Sequence, residues 1–291
     1  MKKKVVIVTD TVSSIPKKIA EEYGIFVVPM HVIMGGKDYL DIETSKELFY
    51  SWFENNKDKT SHPKTAAPSV GAFLEVFKNA SNQAKNILYI AMSSGNSTTY
   101  KISLQAKDIM RQESPSTHVE IIDSCSEHGG QMLIVLEAAR AAQAGKNLHE
   151  VMEVANSMIH RVTLFYLLDT MYHLTLGGRT GKADVWENSM LTLKPLLELN
   201  INTGGIPVPV ARFRTKSQGI TRIVEILEEK VAQRPLHAVI TQGNVHDEAE
   251  DLKQRLTSKF NCVEMYLTEP SLAPEVHQGP KALRLGFYCD E

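Results

Sequence analysis

Three short apolar runs in the first half of the chain each end in hydroxyl and carboxyl side chains. Val5–Val8 runs into Thr9-Asp10-Thr11, Ile87–Ala91 is followed by Ser93-Ser94-Gly95-Asn96-Ser97, and Val119–Ile122 runs into Asp123-Ser124. In open parallel sheets, ligands sit beyond the carboxyl ends of the strands, so these ends would converge on one edge. Ser93–Ser97 also leads into a helix, whose first backbone N–H groups lack intrahelical partners. Hydroxyls beside such N–H groups suit an anion, with about 0.3–1 kcal/mol from the helix dipole at an exposed site. Taken singly, each of these residues also serves as a helix cap or turn former. Thr65-Ala66-Ala67-Pro68-Ser69 is a loop entering a helix. Ser69 is its natural N-cap, and Thr65 is free to point elsewhere. Gly177-Gly178-Arg179 and Arg212-Phe213-Arg214 bring cations, though an isolated Arg is usually solvated. His277-Gln278-Gly279-Pro280 reads as a tight loop before the last strand, with His277 donating to an anion or satisfying a loop carbonyl.

Catalytic patterns are mostly absent. Gly177–Lys182 is one residue short of a phosphate loop, and Ala183 stands where a magnesium-binding hydroxyl is needed. There is no G-x-G-x-x-G and no G-x-S-x-G. Cys125 and His128 lie three apart with no third group to orient them. Asp10 and Asp123 are either paired catalytic carboxylates or strand-end caps. The histidines show no paired metal spacing, and Cys125, Cys262 and Cys289 form no disulfide framework or zinc site. The expectation is no catalytic residues, no metal and no resident cofactor.

Strands and helices alternate in the first half. Extended runs are Val5–Val8, Ile25–Ile33, Ile87–Ala91 and Val119–Ile122. Helical spacing covers Pro16–Tyr23, Ser69–Ala80, Thr98–Met110, Gln131–Ala144 and Leu148–His160, with a further helix capped by Thr44 and Glu47 and running through Phe53. Such alternation implies βαβ units and a parallel sheet flanked by helices. Beyond residue 160, strands are expected at Val162–Leu168, Pro195–Asn200, Pro207–Val210, His237–Thr241, Cys262–Leu267 and Leu283–Tyr288. Helices are expected at Thr221–Val231 and Asp247–Lys259, and Thr203-Gly204-Gly205 marks a hairpin turn. The expected architecture is therefore α/β, with an N-terminal Rossmann-like domain over 1–160 and a mixed α/β C-terminal domain over 161–291.

Composition agrees with a globular protein. The 291 residues are 43% hydrophobic and 23% charged, which excludes a disordered chain. Lys+Arg 32 against Asp+Glu 34 gives a net charge of −2 and no electrostatic footprint for nucleic acid. The apolar-rich run Ile25–Met34 is half a membrane span and contains Pro29 and His31. The basic start at Lys2–Lys4 precedes an apolar run too short for a signal peptide. A cytoplasmic protein with reduced cysteines is expected.

Taken in order, Val8-Thr9-Asp10-Thr11, Thr65 with Pro68-Ser69, Ser93–Tyr100, Asp123-Ser124, Gly177-Gly178-Arg179, Lys194-Pro195, Arg214-Thr215 and His277 with Gly279 resemble the DegV family of bacterial fatty acid-binding proteins. The resemblance spans nearly the whole chain and implies a two-domain DegV-like fold with one long-chain fatty acid between the domains. It implies a non-catalytic partner that presents the carboxylate to a fatty acid kinase for conversion to acyl phosphate, within phospholipid metabolism. By the same resemblance Thr65, Ser93 or Ser94, and His277 hold the carboxylate, while Arg179 and Arg214 support it or face the partner. The departures are Ala66 after Thr65, Ser126–Gln131, and Lys281 with Arg284. The first two would alter the pocket floor or the chain-length preference, the last the head group or the kinase-facing surface. Phe26, Val28, Ile90, Met92, Leu164, Tyr166, Leu167 and Leu168 are candidates for the acyl tunnel, with ordinary core as the default for each. Two other classes stay open: a stand-alone hydrolase using Ser94 or Cys125 with His128 or His277, and a binding module for a shorter carboxylate.

Overall fold

The computed structural model describes residues 4–56, 61–186 and 193–290. The chain starts with β1 (Val5–Asp10), α1 (Lys17–Tyr23) and β2 (Phe26–Val28). A small antiparallel pair follows, β3 (His31–Met34) and β4 (Lys37–Leu40), then α2 (Lys46–Asn55) and β5 (Lys64–Ala66). Next come α3 (Val70–Ser81), β6 (Asn86–Ala91), α4 (Thr99–Glu113), β7 (His118–Asp123), α5 (His128–Gln143) and α6 (Leu148–Arg161). The rest is β8 (Thr163–Leu167), α7 (Tyr172–Gly177), β9 (Lys194–Leu199), β10 (Val208–Phe213), α8 (Lys216–Val231), β11 (Leu236–Gln242), α9 (His246–Lys259), β12 (Cys262–Thr268), α10 (Leu272–Gln278) and β13 (Leu283–Cys289).

The first sheet is parallel throughout, in the order β2-β1-β6-β7. Its strands are continuous apolar runs because both faces are covered. Successive side chains alternate between faces. Val6, Val8, Ile87 and Tyr89 pack on Phe73 and Phe77 of α3 and Ala106 and Met110 of α4. Val5, Ile7, Leu88 and Ile90 pack on α5 and α6 through Met132, Val135, Val151 and Met158. The second sheet has the order β10-β9-β8-β13-β11-β12, and only its β11–β12 pair is parallel. Helices α8 and α9 cover one of its faces, and α5 lies against the other. Gly129 and Gly286 permit that approach: a Cβ on Gly286 would overlap the Gly129 backbone, and one on Gly129 would meet Val239. Helix α5 is thus shared by both sheets, and Val239 and Tyr288 join its apolar cluster. A third, small sheet, β4-β3-β5, sits beside them.

Several local readings shift. Ser45, not Thr44, caps α2, its side chain accepting from the Leu48 N–H. Helix α8 begins five residues before Thr221, because Thr215 and Gln218 form a reciprocal capping box. The hairpin at residues 200–205 contains a 3-10 turn at Ile201–Thr203 followed by Gly204 and Gly205 at φ 73° and 68°. His277 lies in α10 rather than in a loop, since Ala273, Pro274, Glu275 and Val276 are buried on a short helix before Gly279. No helix among the described residues is long and apolar enough to cross a membrane.

Candidate functional site

A cavity of about 230 Å³ opens beyond the carboxyl end of the first sheet. Val12, Met30, Met92, Leu168, Leu174 and Ala273 give it apolar walls. Thr65, Asn96, Ser97, Glu127, Tyr166, Arg179, His277 and Gln278 add polar groups. Met92 and the Ser97 loop follow β6, Thr65 is carried by β5, Tyr166 by β8, and His277 and Gln278 by α10.

Thr65 pairs with Val32 across the small sheet, which fixes its backbone. Its Oγ1 lies 2.8 Å from His277 Nε2. The imidazole reaches this point because Gly177 ends α7 without a side chain; a Cβ there would overlap His277 Nδ1. That nitrogen is buried without a hydrogen-bond partner. Burial, then the charge of Arg179 and the proximity of His62, hold His277 down to about 3, so the ring is neutral at physiological pH. With Nε2 protonated and donating to Thr65 Oγ1, the Thr65 O–H is free to donate, while Nδ1 faces the Gly177 backbone. His62 and His173 stack nearby with ring centroids 5.5 Å apart, and both are pushed towards the neutral form mainly by burial.

The opposite wall is a hydrogen-bonded network. Glu127 is buried and accepts from Tyr166 Oη at 2.8 Å, Asn96 Nδ2 at 2.9 Å and Gln278 Nε2 at 3.2 Å. Burial pushes its carboxyl above the usual range. Gln278 Oε1 accepts from Arg284 Nε and lies 3.1 Å from His128 Nε2. The Arg284 Nη2 donates to Glu275 Oε1 at 2.5 Å, and Tyr50 Oη donates to Glu275 Oε2 at 3.0 Å. His128 Nδ1 lies 3.0 Å from Ser14 Oγ, so the network reaches the end of β1.

The expected site residues separate into two groups. Thr65, His277 and Arg179 line the cavity. Arg179 is at its exposed rim, with Nε 3.4 Å from the Asn96 carbonyl. Ser93 and Ser94 do not line it. Ser93 is fully buried and donates to the Gly205 carbonyl at 2.5 Å, while Ser94 is exposed and its N–H donates to Asp123. The same loop instead reaches the cavity through Asn96, Ser97 and Thr98. Arg214 is exposed at the start of α8, outside the lining. Arg284, read with Lys281 as altering the head group or the kinase-facing surface, does not reach a surface: on β13 its side chain is wholly buried and paired with Glu275. Of the tunnel candidates, Met92, Tyr166 and Leu168 line the cavity. Phe26, Val28, Ile90, Leu164 and Leu167 pack in the cores.

Cys125, His128 and the aspartates each have other partners. The Cys125 thiol is pushed up to about 11 by burial and Asp123, and His128 is engaged by Ser14 and Gln278. Asp10 is pushed up to about 6 by burial against the donors that hold it, Met92 N, Tyr89 Oη, Gln131 Nε2 and Val12 N. It ties β1 to β6 and α5. Asp123 accepts from the N–H groups of Ser94 and Cys125. Among the described residues, no group of three or more His, Cys, Asp or Glu side chains is placed to hold a metal ion. Glu127 and Gln278 were not anticipated as lining residues. The only signal was Glu127 within the divergent stretch Ser126–Gln131.

The sequence matches a family model described as "Uncharacterised protein, DegV family" over residues 4–290. A DegV domain-containing protein of Clostridium perfringens is 31% identical over 282 residues, 97% of each chain. The structure resembles that of a DegV family protein from Thermus thermophilus, described by its fatty acid binding, with a TM-score of 0.89 at 24% identity over 99% of this chain and 100% of that one. It also resembles DegV from Bacillus subtilis, described as a fatty acid binding protein, with a TM-score of 0.84 at 25% identity over 99% and 100% of the two chains. A family model covering nearly every residue, and a relative of this identity along its whole length, mean that this chain belongs to the DegV family.

Proposed function

We propose that this protein binds a long-chain fatty acid in the cavity, with the carboxylate at Thr65 and His277 and the tail against Val12, Met30, Met92 and Leu168. The observation that carries the reading is the Thr65–His277 pair, 2.8 Å apart beside the apolar wall of Val12, Met30, Met92 and Leu168. Ser97 supplies a further hydroxyl on the same lining, in the role the resemblance gave to Ser93 or Ser94. The tail supplies the affinity: at about 0.8 kcal/mol per methylene, roughly fifteen methylenes give on the order of 12 kcal/mol gross, less several kcal/mol for association and ordering.

The head-group chemistry suits presentation to a kinase. A hydroxyl held by a neutral imidazole donates to a carboxylate without enclosing it in a bidentate guanidinium clamp, so one oxygen stays available to accept a phosphoryl group. Arg179 and Arg214 are exposed and suit a partner or its phosphate-bearing substrate. In this reading the chain is a non-catalytic cytoplasmic carrier, residues 1–160 and 161–291 are its two domains, and the acid lies between them. The delipidated protein, loaded with radiolabelled palmitate, is incubated with ATP and hydroxylamine, with and without a fatty acid kinase. Acyl hydroxamate should form only when the kinase is present. Hydroxamate from the chain alone would make it a catalyst, and none in either arm would end the presentation role.

A further inference from the structure

The cavity has two poles of opposite character. At one, the Thr65 O–H stands free to donate, its oxygen 2.8 Å from His277 Nε2. At the other, the lining includes the buried carboxyl group of Glu127, an acceptor. Building on the fatty-acid reading, we propose that the cavity selects an acid that carries a hydroxyl on the carbons next to its head group, the hydroxyl donating to Glu127 while the carboxylate accepts from Thr65.

The direction of each bond around Glu127 is fixed. A guanidinium has only donors, so the Gln278 atom that accepts from Arg284 Nε is the amide oxygen. Gln278 therefore turns its Nε2 to Glu127 Oε2, at 3.2 Å. Tyr166 Oη donates to the same oxygen at 2.8 Å, and Asn96 Nδ2 donates to Oε1 at 2.9 Å. An ionised carboxylate offers about four acceptor positions. Among the described residues three are filled, and the fourth is on Oε1. Burial pushes this carboxyl up, and Tyr166, Asn96 and the charge of Arg284 act against it. An unsubstituted chain would cover the fourth position with methylenes and exclude water from it, leaving a buried acceptor unsatisfied. A hydroxyl fills it. The negative charge also turns the ligand's own carboxylate away, towards Thr65. Gln278 follows His277 directly on α10, so consecutive residues serve the two poles and the hydroxyl belongs near the head group. Glu127 and Arg284 come from two separate stretches that depart from the DegV pattern, and they meet through Gln278 in one network.

Delipidated protein is titrated with palmitate and with its 2-, 3-, 4- and 16-hydroxy derivatives, the chiral ones as separate enantiomers. At least one of the 2-, 3- and 4-hydroxy acids should bind about tenfold tighter than palmitate, the gain of a hydrogen bond to a charged acceptor. The 16-hydroxy acid, whose hydroxyl is at the far end, should bind no tighter than palmitate. Glu127→Gln removes the charge and leaves at most a neutral hydrogen bond, so it should cut the preference for the hydroxy acid about fivefold or more. The wild-type comparison decides by itself if Glu127→Gln does not fold. A gain below about threefold for every 2-, 3- and 4-hydroxy acid, an equal gain from the 16-hydroxyl, or an unchanged preference in folded Glu127→Gln overturns the hydroxyl site while leaving the carboxylate site standing. Failure of every acid to bind overturns the fatty-acid reading itself.

Discussion

Replacing Thr65 with Val removes one hydroxyl and keeps the branched shape that β5 needs beside Val32. The hydroxyl lies 2.8 Å from His277 Nε2, and His277 Nδ1 has no partner, so the variant leaves the imidazole unanchored. A hydrogen bond to a charged group contributes about 1.5–3 kcal/mol, so Kd for a long-chain acid should rise roughly 10- to 150-fold. The methyl ester of the same acid accepts only neutral hydrogen bonds, worth about 0.5–1.5 kcal/mol, so its Kd should rise no more than about 12-fold. Isothermal titration of both ligands against both proteins reads the difference directly. Thermal unfolding of the ligand-free variant should show a loss of about 0.5–1.5 kcal/mol, the ordinary cost of one hydrogen bond. Equal losses for acid and ester, or an acid Kd changed less than twofold, would refute the idea that Thr65 and His277 recognise the anion.

Three further outcomes follow from the geometry. Gly177→Ala places a Cβ onto His277 Nδ1, so the ring must turn away; acid affinity should fall at least tenfold, and a melting curve alongside it should move by no more than about 1–3 kcal/mol, whereas wild-type affinity would show that His277 is not a donor. Arg284→Met leaves Glu275 buried without its cation and should cost about 3–5 kcal/mol by denaturant unfolding, with most of it recovered in the Arg284→Met/Glu275→Leu double variant; a single variant within about 1 kcal/mol of wild type would contradict this. His173 is held down to about 4 by burial, first, and by the neighbouring His62. An unfolded histidine titrates near 6.5, so its contribution is complete above that pH and is lost as pH falls towards about 4, at up to ~1.4 kcal/mol per unit. His173→Asn should therefore gain on wild type below pH 6.5. Asp10 and Asp41, both pushed up to about 6 mainly by burial, titrate with the opposite sign but cancel in that comparison.

The parallel sheet was legible because both of its faces are buried, so β1, β6 and β7 read as apolar runs ending in polar residues. Ser69 was legible as a cap because a single serine stands before the apolar period of α3. Thr44 and Ser45 are adjacent hydroxyls, and spacing alone does not choose between them; the bond to Leu48 N–H does. His277 was read as a loop residue because Pro274 and Gly279 punctuate a helix of only 7 residues, too short to show a period. At the site, Thr65 was legible because no capping role competed for it. Ser93 and Ser97 are of one type on one loop, and which of them meets the cavity depends on the Gly205 carbonyl, more than a hundred residues away, that takes the Ser93 hydroxyl. The burial of Arg284 was not legible for a related reason: its partner Glu275 sits in the helix that the sequence did not reveal.

Ligand identity tests the central claim most directly. The protein is purified without detergent, a native mass spectrum is recorded, and the organic extract is analysed for free acids. An adduct with the mass of a single fatty acid, present in wild type and depleted in Thr65→Val and Gly177→Ala, is the expected result. A bare chain that also fails to take up added palmitate would contradict the account.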